Sequence, residues 1–341
     1  MLGMKLKPQH LNAHSRSILS YAAAAALLCL VPGHNARADS VIVLNSAGNT
    51  VSLIDPRTYK ETARLPMGKQ PHHMMSTPDD DALLVGSTSS NELYFVDRKT
   101  GAITTKMPMQ DPYQLGFSPD RKWFVTTALR MNYVDIYAGD EIIGKKLTAR
   151  PIKRVKTGSM PSHLAFSGDS KLVYVTEQGA DTVSVIDLAT QRVLQTIQVG
   201  DEPAGVWVTP DDKEVWVGVM GSDHVAVIDR ASGKVVTKIV TGKGAHNIFP
   251  RGDGKQVLVS NRVSNTISLI DWSSKKIVDT YSVSGGPDCL EIIPGSNEMW
   301  VTLRWAKKVL VVDLATKAVK ATIPVGNSPH GIYYHAHAPR K

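Results

Sequence analysis

Short runs of alternating apolar residues, each introduced by a polar pair and nearly always closed by an acid, recur along the chain. Val, Ile and Leu dominate these runs, and turn-forming residues bound them, which indicates short β-strands. The closing aspartates lie 42 residues apart except across one interval of 90, which contains a degenerate copy, NYVDIYA. The regular copies are NTVSLID (49–55), NELYFVD (91–97), DTVSVID (181–187), DHVAVID (223–229), NTISLID (265–271) and KKVLVVD (307–313).

A second feature of each repeat, a turn that ends in Pro or Ala before its first strand, gives the same count. Successive turns lie 41, 49, 42, 42, 42 and 42 residues apart, so the chain repeats a unit of about 42 residues. The long interval places a seven-residue insertion within residues 139–154. The anchor residues are Pro71, Pro112, Pro161, Pro203, Ala245, Pro287 and Pro329.

Each repeat contains four strand signals joined by connections too short for helical crossovers, so the strands form an antiparallel meander. Four-stranded units repeated about seven times predict an all-β, single seven-bladed β-propeller, with an open solenoid as the alternative. Residues 41–67 supply only the second, third and fourth strands of a repeat, and residues 329–337 supply only a first strand. Pairing of the N-terminal strands with the C-terminal strand would complete the seventh blade and leave no exposed sheet edge at the seam, which favours the closed ring.

The first 38 residues have the features of a secretory signal peptide. Lys5, Lys7 and Arg16 precede a short apolar run at residues 20–31, and an A-x-A cleavage signal follows at residues 36–38. We therefore expect residues 1–38 to be removed and residues 39–341 to form the propeller in the periplasm or outside the cell. An uncleaved membrane anchor is the alternative, although the apolar run is short for a bilayer.

Charge and cysteine content narrow the function classes. Without residues 1–38 the chain has 35 basic and 31 acidic residues, a net charge of +4, and no run of Lys or Arg that would indicate nucleic-acid binding. Cys289 is then the single cysteine, which excludes an internal disulfide.

The segment VYVTEQGADTVSVIDLATQRVLQTIQVGDEPAGVWVTPDDKEVWV resembles the YVTN-type β-propeller repeat family, and the resemblance extends over nearly all of residues 39–341. More distantly, the chain resembles the haem d1-binding propeller of cytochrome cd1 nitrite reductase. The resemblance implies the propeller fold and says little about function. The nitrite reductase propeller has eight blades and an attached cytochrome c domain, whereas this chain has seven repeats and no CxxCH motif, so nitrite reduction is not expected.

Histidine is concentrated directly after the anchor residues, where the first strands of a propeller converge on one channel mouth. One interpretation is a site that ligates a transition metal through His72, His163, His246 and His330, ligates a haem iron, or binds an anion. The other is that histidine is simply a frequent turn residue of the repeat. The candidate site residues after the anchors are His72, His73, Tyr113, His163, His246, Asp288 and His330.

The loops between second and third strands should open on the same mouth, and they contain Arg130, Arg262 and Arg304. A guanidinium binds carboxylate, phosphate or porphyrin propionate groups through two parallel hydrogen bonds. Trp305, beside Arg304, could stack on a flat ligand. The alternative is a set of solvated loop side chains.

No GxSxG, HExxH or CxxC motif is present, so nothing in the sequence requires catalysis. We expect a monomeric periplasmic scaffold that binds a small anionic ligand or a periplasmic protein at its His/Arg-lined channel mouth. It would have no nucleic-acid partner and no stable membrane insertion after cleavage. The alternatives are a redox or carrier protein with a transition metal or a d1-like haem, and a lactonase-like hydrolase.

Overall fold

Twenty-eight short strands succeed one another through residues 40–335, the part of the chain that this computed structural model describes. The described residues also contain a helix of five residues, α1 (Gly139–Ile143), and a 3₁₀ turn at Met220–Ser222. No helix in this part of the chain is long and apolar enough to span a membrane. The predicted signal peptide, residues 1–38, lies outside the described residues.

The strands, numbered β1 to β28 in chain order, occupy four positions within the repeated sheet. The first strands are β4 (Pro71–Ser76), β8 (Pro112–Phe117), β12 (Pro161–Phe166), β16 (Pro203–Val208), β20 (Ala245–Pro250), β24 (Pro287–Ile293) and β28 (Pro329–Tyr333). The second strands are β1 (Val41–Asn45), β5 (Leu83–Ser87), β9 (Trp123–Ala128), β13 (Leu172–Glu177), β17 (Glu214–Val219), β21 (Gln256–Asn261) and β25 (Glu298–Leu303).

The two outer positions follow in the same order. The third strands are β2 (Thr50–Asp55), β6 (Glu92–Val96), β10 (Tyr133–Ala138), β14 (Thr182–Asp187), β18 (His224–Asp229), β22 (Thr266–Asp271) and β26 (Lys308–Asp313). The fourth strands are β3 (Lys60–Pro66), β7 (Ile103–Pro108), β11 (Lys153–Lys156), β15 (Arg192–Gln198), β19 (Lys234–Val240), β23 (Lys276–Ser282) and β27 (Val319–Pro324).

These strands form seven four-stranded antiparallel sheets, which confirms the predicted propeller. Blades 1 to 6 begin at β4, β8, β12, β16, β20 and β24, and blade 7 has the order β28-β1-β2-β3. In blade 7 the chain ends pair as predicted, with Val43 opposite Ile332. Each first strand lies beside the first strand of the next blade, and β28 lies beside β4, so the ring is closed.

Apolar side chains fill the spaces between neighbouring blades. Within residues 40–335, seven buried clusters are found, one at each of the seven blade interfaces. Both faces of the middle strands are therefore covered, and every residue of β1 and β5 is buried. This explains why apolar and polar residues alternate only weakly along these strands. Burial of each Val, Leu or Ile side chain stabilises the fold by roughly 1.5–3 kcal/mol.

The insertion lies where the repeat spacing predicts it, and the closing aspartates bind the backbone of the turns that follow them. The insertion within 139–154 contains α1 and lies between β10 and β11 of blade 2. Asp97 accepts hydrogen bonds at Oδ1 from the amide of Thr100 at 2.6 Å and the amide of Lys99 at 3.0 Å, and Asp187 accepts one from the amide of Thr190 at 2.6 Å. The aspartates thus hold the turns that follow the third strands.

A bulge at the start of the first strand directs the candidate site residues. In blades 1 to 6 the pairing with the second strand is interrupted for the two residues after the anchor, for example between Pro161 and Leu164. In several blades a hydroxyl group on the second strand accepts the hydrogen bond of a backbone amide within the bulge. Thr302 Oγ1 accepts from the amide of Cys289 at 3.0 Å and donates to the carbonyl of His330 in the next blade at 2.9 Å. Such bulges re-aim side chains, and here they present two consecutive residues to the centre of the ring.

Candidate functional site

Five imidazole rings form a continuous cluster at the centre of the ring of blades. Ring centroids are 3.8 Å apart for His72 and His330, 4.7 Å for His72 and His73, 5.0 Å for His73 and His163, and 5.4 Å for His163 and His246. Four of the five side chains are buried, and His73 is half-buried. These five residues come from four blades, and the closed ring brings them together. We call this group the histidine cluster.

Tyr113 extends the histidine cluster toward blade 2. Its ring lies 4.0 Å from the ring of His72, at an interplanar angle of 31°. Burial raises the pKa of the Tyr113 phenol to about 12, so it remains a neutral hydroxyl at physiological pH.

Several ring nitrogens of the cluster have no hydrogen-bond partner. His330 Nδ1–H donates to the carbonyl of His72 at 2.9 Å, which leaves a lone pair on Nε2 of the neutral ring. His163 Nδ1 contacts Ser162 Oγ at 3.1 Å. Buried polar atoms without a partner are costly and point to a site that a ligand completes. In the described part of the chain the cluster nitrogens without a hydrogen bond are His72 Nδ1, His73 Nε2, His163 Nε2, His246 Nδ1 and His330 Nε2. The last two lie near a carboxylate oxygen, that of Asp288, without forming a hydrogen bond.

Burial keeps the histidine cluster neutral. Desolvation lowers the pKa of His73 to about 3 and holds the pKa values of His72, His163, His246 and His330 well below the ordinary value. Neutral imidazoles can ligate a metal or donate a hydrogen bond without first losing a proton.

Asp288 connects the cluster to two arginines. Its Oδ1 lies 2.6 Å from Arg262 Nη2, and its Oδ2 lies 3.0 Å from Arg304 Nη1. His246 Nδ1 and His330 Nε2 lie 3.3 Å and 3.6 Å from Oδ1. Burial by itself raises the pKa of this carboxyl, but Arg262 and the other surrounding groups hold it well below the ordinary value. Asp288 is therefore ionised, and it compensates one of the two guanidinium charges.

Arg130 is held separately from this group. It binds Asp111 at 2.7 Å, and it donates to the carbonyl of Thr88 at 2.5 Å. Asp111 is buried, whereas 46% of the Arg130 side chain is exposed. The Arg130–Asp111 pair is thus neutral as a unit, with its cation at the surface.

Two cavities adjoin the histidine cluster. The mouth cavity has a volume of about 280 Å³, and its lining includes His72, Tyr113, Arg130 and Arg304. The channel cavity has a volume of about 130 Å³, and its lining includes His73 and His163. The mouth cavity is close to the lower end of the volume range of small-molecule sites.

The channel cavity contains residues that were not among the candidates. Gln114 and Asn247 line it, and Asn247 Nδ2 lies 3.6 Å from the sulfur of Cys289. Both follow an anchor by two residues, as His73 and His163 do, so the same positional rule could have identified them. Cys289 is 6% exposed and packs beside Ile332.

Trp305 lies away from the histidine cluster. Its ring packs over the turn at Gly285–Gly286, where a β-carbon added to Gly286 would come within 2.6 Å of the indole. The side chain is 58% exposed and is not among the residues lining the mouth cavity. A ligand confined to that cavity therefore does not stack on Trp305.

Two groups of ligand atoms are close enough to suit a metal ion. In the described residues, one nitrogen each of His72, His73 and His330 lie within 4.8 Å of one another, and the same holds for Asp288, Cys289 and His330. His163 and His246, expected as metal ligands together with His72 and His330, belong to neither group.

Comparison with protein-family models identifies the family of the chain. A family model described as YNCE-like beta-propeller matches residues 12–340. No curated protein matches the sequence.

Solved structures share the fold at low sequence identity. A functionally unknown protein from Desulfotomaculum acetoxidans has a TM-score of 0.73 and 14% identity, over 87% of this chain and 99% of that one. Dihydro-heme d1 dehydrogenase NirN in complex with DHE has a TM-score of 0.66 and 15% identity, over 88% and 76%. Kuenenia stuttgartiensis hydrazine synthase has a TM-score of 0.62 and 22% identity, over 76% and 88%.

Proposed function

The chain belongs to the YNCE-like β-propeller family, and on that premise we propose that it is a non-catalytic binding protein that takes a small anionic ligand in its mouth cavity. The observation that carries the proposal is the charge balance around Asp288. Two guanidiniums, those of Arg262 and Arg304, share this one carboxylate. One positive charge is left over beside a cavity of about 280 Å³.

The spare hydrogen-bond donors suit an anion. Arg304 lines the mouth cavity with 27% of its side chain exposed, and its salt bridge to Asp288 is formed through Nη1. A guanidinium carries five N–H donors, so others remain for a carboxylate or phosphate. Arg262 has a buried Nε without a hydrogen-bond partner, and its positive charge is balanced by the same carboxylate, that of Asp288. A bound anion would restore neutrality.

The state of Asp288 favours binding over hydrolysis. A general base works best with a pKa near the working pH. Both oxygens of Asp288 lie against guanidiniums, and the pKa of this carboxyl is well below its ordinary value, so it is a weak base. This argues against the lactonase-like alternative.

We place this activity in the periplasm, on the strength of the signal-peptide features of residues 1–38, and we propose that the protein acts there as a monomer. A small molecule fits the mouth cavity by volume. An acidic side chain of a periplasmic protein would present the same carboxylate group to the cavity. A competition experiment between a free anion and such a protein would distinguish the two ligands.

Calorimetric titration with succinate and with inorganic phosphate, at low salt and after treatment with a chelator, tests the proposal. We expect saturable binding that Arg304→Gln weakens at least tenfold, because a hydrogen bond to a charged group is worth ~1.5–3 kcal/mol. The matched control is Arg154→Gln, since Arg154 is 48% exposed and binds buried Asp135 at 2.9 Å without lining the mouth cavity. Absence of binding, or equal loss in both variants, would refute the proposal.

A cofactor carrier is the second candidate, favoured by the converging nitrogens of His72, His73 and His330. NirN in complex with DHE shares the fold, and at 15% identity this likeness extends to the fold alone. An absorption spectrum of the protein from its producing cells separates the candidates. A stoichiometric porphyrin band that is lost in His72→Ala and His330→Ala would favour the carrier, and a colourless folded protein would count against a haem.

A further inference from the structure

Three histidines from two strands meet where the ring of blades closes. His72 and His73 belong to β4 of blade 1, and His330 belongs to β28, the C-terminal strand. The nitrogens His72 Nδ1, His73 Nε2 and His330 Nε2 have no hydrogen-bond partner. One nitrogen from each of the three rings lies within 4.8 Å of the other two.

We propose that His72, His73 and His330 bind one late first-row transition-metal ion, of the class of Zn²⁺, Co²⁺ or Cu²⁺. Imidazole nitrogen is a preferred ligand of these ions, and three protein ligands with an open fourth position are typical of a metal that takes a further ligand. The metal site rests on the histidines alone. The further step, in which the anion occupies the open position, rests on the proposed function.

The local backbone favours two ligands from adjacent residues. In a regular strand consecutive side chains point to opposite faces. The bulge between Pro71 and Met74 breaks this alternation, and the rings of His72 and His73 approach to 4.7 Å. His330 approaches from the other side of the seam, with its ring 3.8 Å from that of His72 and 4.6 Å from that of His73.

The tautomer of His330 suits a metal ligand. Its Nδ1–H donates to the carbonyl of His72 at 2.9 Å, which leaves the lone pair of the neutral ring on Nε2. Metal–nitrogen bonds of ~2.1 Å at tetrahedral angles would place ligand nitrogens roughly 3.4 Å apart. The nitrogens lie within 4.8 Å of one another, so they need to close by up to about 1.4 Å.

Nearby charges act on a metal and on an anion in opposite directions. Asp288 Oδ1, 3.6 Å from His330 Nε2, favours a cation, whereas Arg304 and Arg262 oppose it. Removing the Arg304 charge should tighten metal binding and weaken anion binding. An indirect structural effect of the same substitution would weaken both.

The metal would also link the two ends of the ring. His330 lies on the strand that completes blade 7, and His72 and His73 lie on the first strand of blade 1. An ion held by both strands resists opening of the seam and stabilises the folded state, because it binds the native ring and not the unfolded chain.

Titration of the chelator-treated full chain with Co²⁺, without a polyhistidine tag, tests the proposal. We expect visible absorption bands that saturate at one equivalent and disappear on addition of Zn²⁺. His73→Gln should weaken Co²⁺ binding at least tenfold. His163→Gln is the matched control, because its ring belongs to the same cluster but not to the converging group, and it should stay within threefold of the parent. Histidines of residues 1–38 are common to all variants and cancel in the comparison.

Thermal unfolding gives an independent readout. Zn²⁺ should raise the melting temperature of the parent chain and of His163→Gln by similar amounts, and should raise that of His73→Gln by clearly less. A folded parent chain that binds no Co²⁺, or equal losses in the two variants, would overturn the proposal. Phosphate binding without Co²⁺ binding would refute the metal site and leave the proposed function intact, and the reverse result would refute the proposed function alone.

Discussion

Replacing Asp288 by Asn removes the carboxylate that both Arg262 and Arg304 bind. The Asp288 side chain is fully buried, whereas the two arginine side chains are 17% and 27% exposed. Breaking a buried ion pair by removing one partner costs about 3–5 kcal/mol. The partial exposure of both guanidiniums favours the low end, so we expect a loss of about 3 kcal/mol. In a chain of this size that corresponds to a fall in melting temperature of roughly 6 °C.

The assay is thermal unfolding followed by circular dichroism at low salt, with Asp111→Asn as the control. Asp111 is equally buried but binds one guanidinium, that of Arg130, which is 46% exposed, so its loss should be smaller. Added phosphate should raise the melting temperature of Asp288→Asn more than that of the parent, since two uncompensated guanidiniums bind an anion more tightly than one. A melting temperature within about 2 °C of the parent, with no response to phosphate, would show that Asp288 does not balance these charges.

Three further predictions concern the framework of the site. Thr302→Val leaves the buried amide of Cys289 and the carbonyl of His330 without their shared hydroxyl, and urea unfolding should show a loss of about 2–4 kcal/mol, against less than 1 kcal/mol for exposed Thr62→Val. Gly218→Ala places a β-carbon 2.4 Å from the carbonyl of His246 and should cost about 1–3 kcal/mol, whereas Gly254→Ala, with open space but a φ of +69°, should cost less. Burial alone would raise the pKa of Glu298, but Lys320 and then Tyr59 lower it below its ordinary value. The ionised carboxylate therefore stabilises the fold above the unfolded-state pKa, and this stabilisation is lost as the pH falls through the folded-state pKa. Urea unfolding from pH 7 to pH 3 should therefore show a shallower acid loss in Glu298→Gln than in the parent, and parallel curves would contradict this.

The propeller itself could be predicted because its evidence is repeated along the chain. The spacing of the closing aspartates and of the anchors such as Pro161 counts the blades, and the complementary ends supply the closure. Burial on both faces of strands such as β1 weakens the usual alternation, so the count rested on spacing and on turn residues rather than on periodicity within a strand.

The central position of the candidate residues was predictable, but their detailed arrangement was not. The anchor rule located His72 and His330, since a propeller brings the starts of its first strands together. It could not show that a bulge turns His73 inward beside His72, because one extra residue in a strand leaves no sequence signal. The sequence favoured His163 and His246 over His73 as metal ligands because it gave no distances between the rings, and the converging group contains His73 instead.

The role of Asp288 was likewise not visible in the sequence. Arg262 and Arg304 lie on loops of different blades, and only the closed ring shows that both bind the one carboxylate. The sequence also did not show that Arg304 and Trp305 point in different directions. Adjacent in the chain, they diverge at the turn, so that the guanidinium lines the mouth cavity while the indole packs outward over Gly286.

The central claim is that the mouth cavity binds an anion beside the uncompensated guanidinium. Anomalous diffraction from a crystal of the chelator-treated protein soaked in selenate locates such an anion directly. The account predicts a selenium peak in the mouth cavity, within hydrogen-bond distance of Arg304, that is absent in Arg304→Gln. Selenium confined to exposed lysines, or an unchanged peak in the variant, would contradict it.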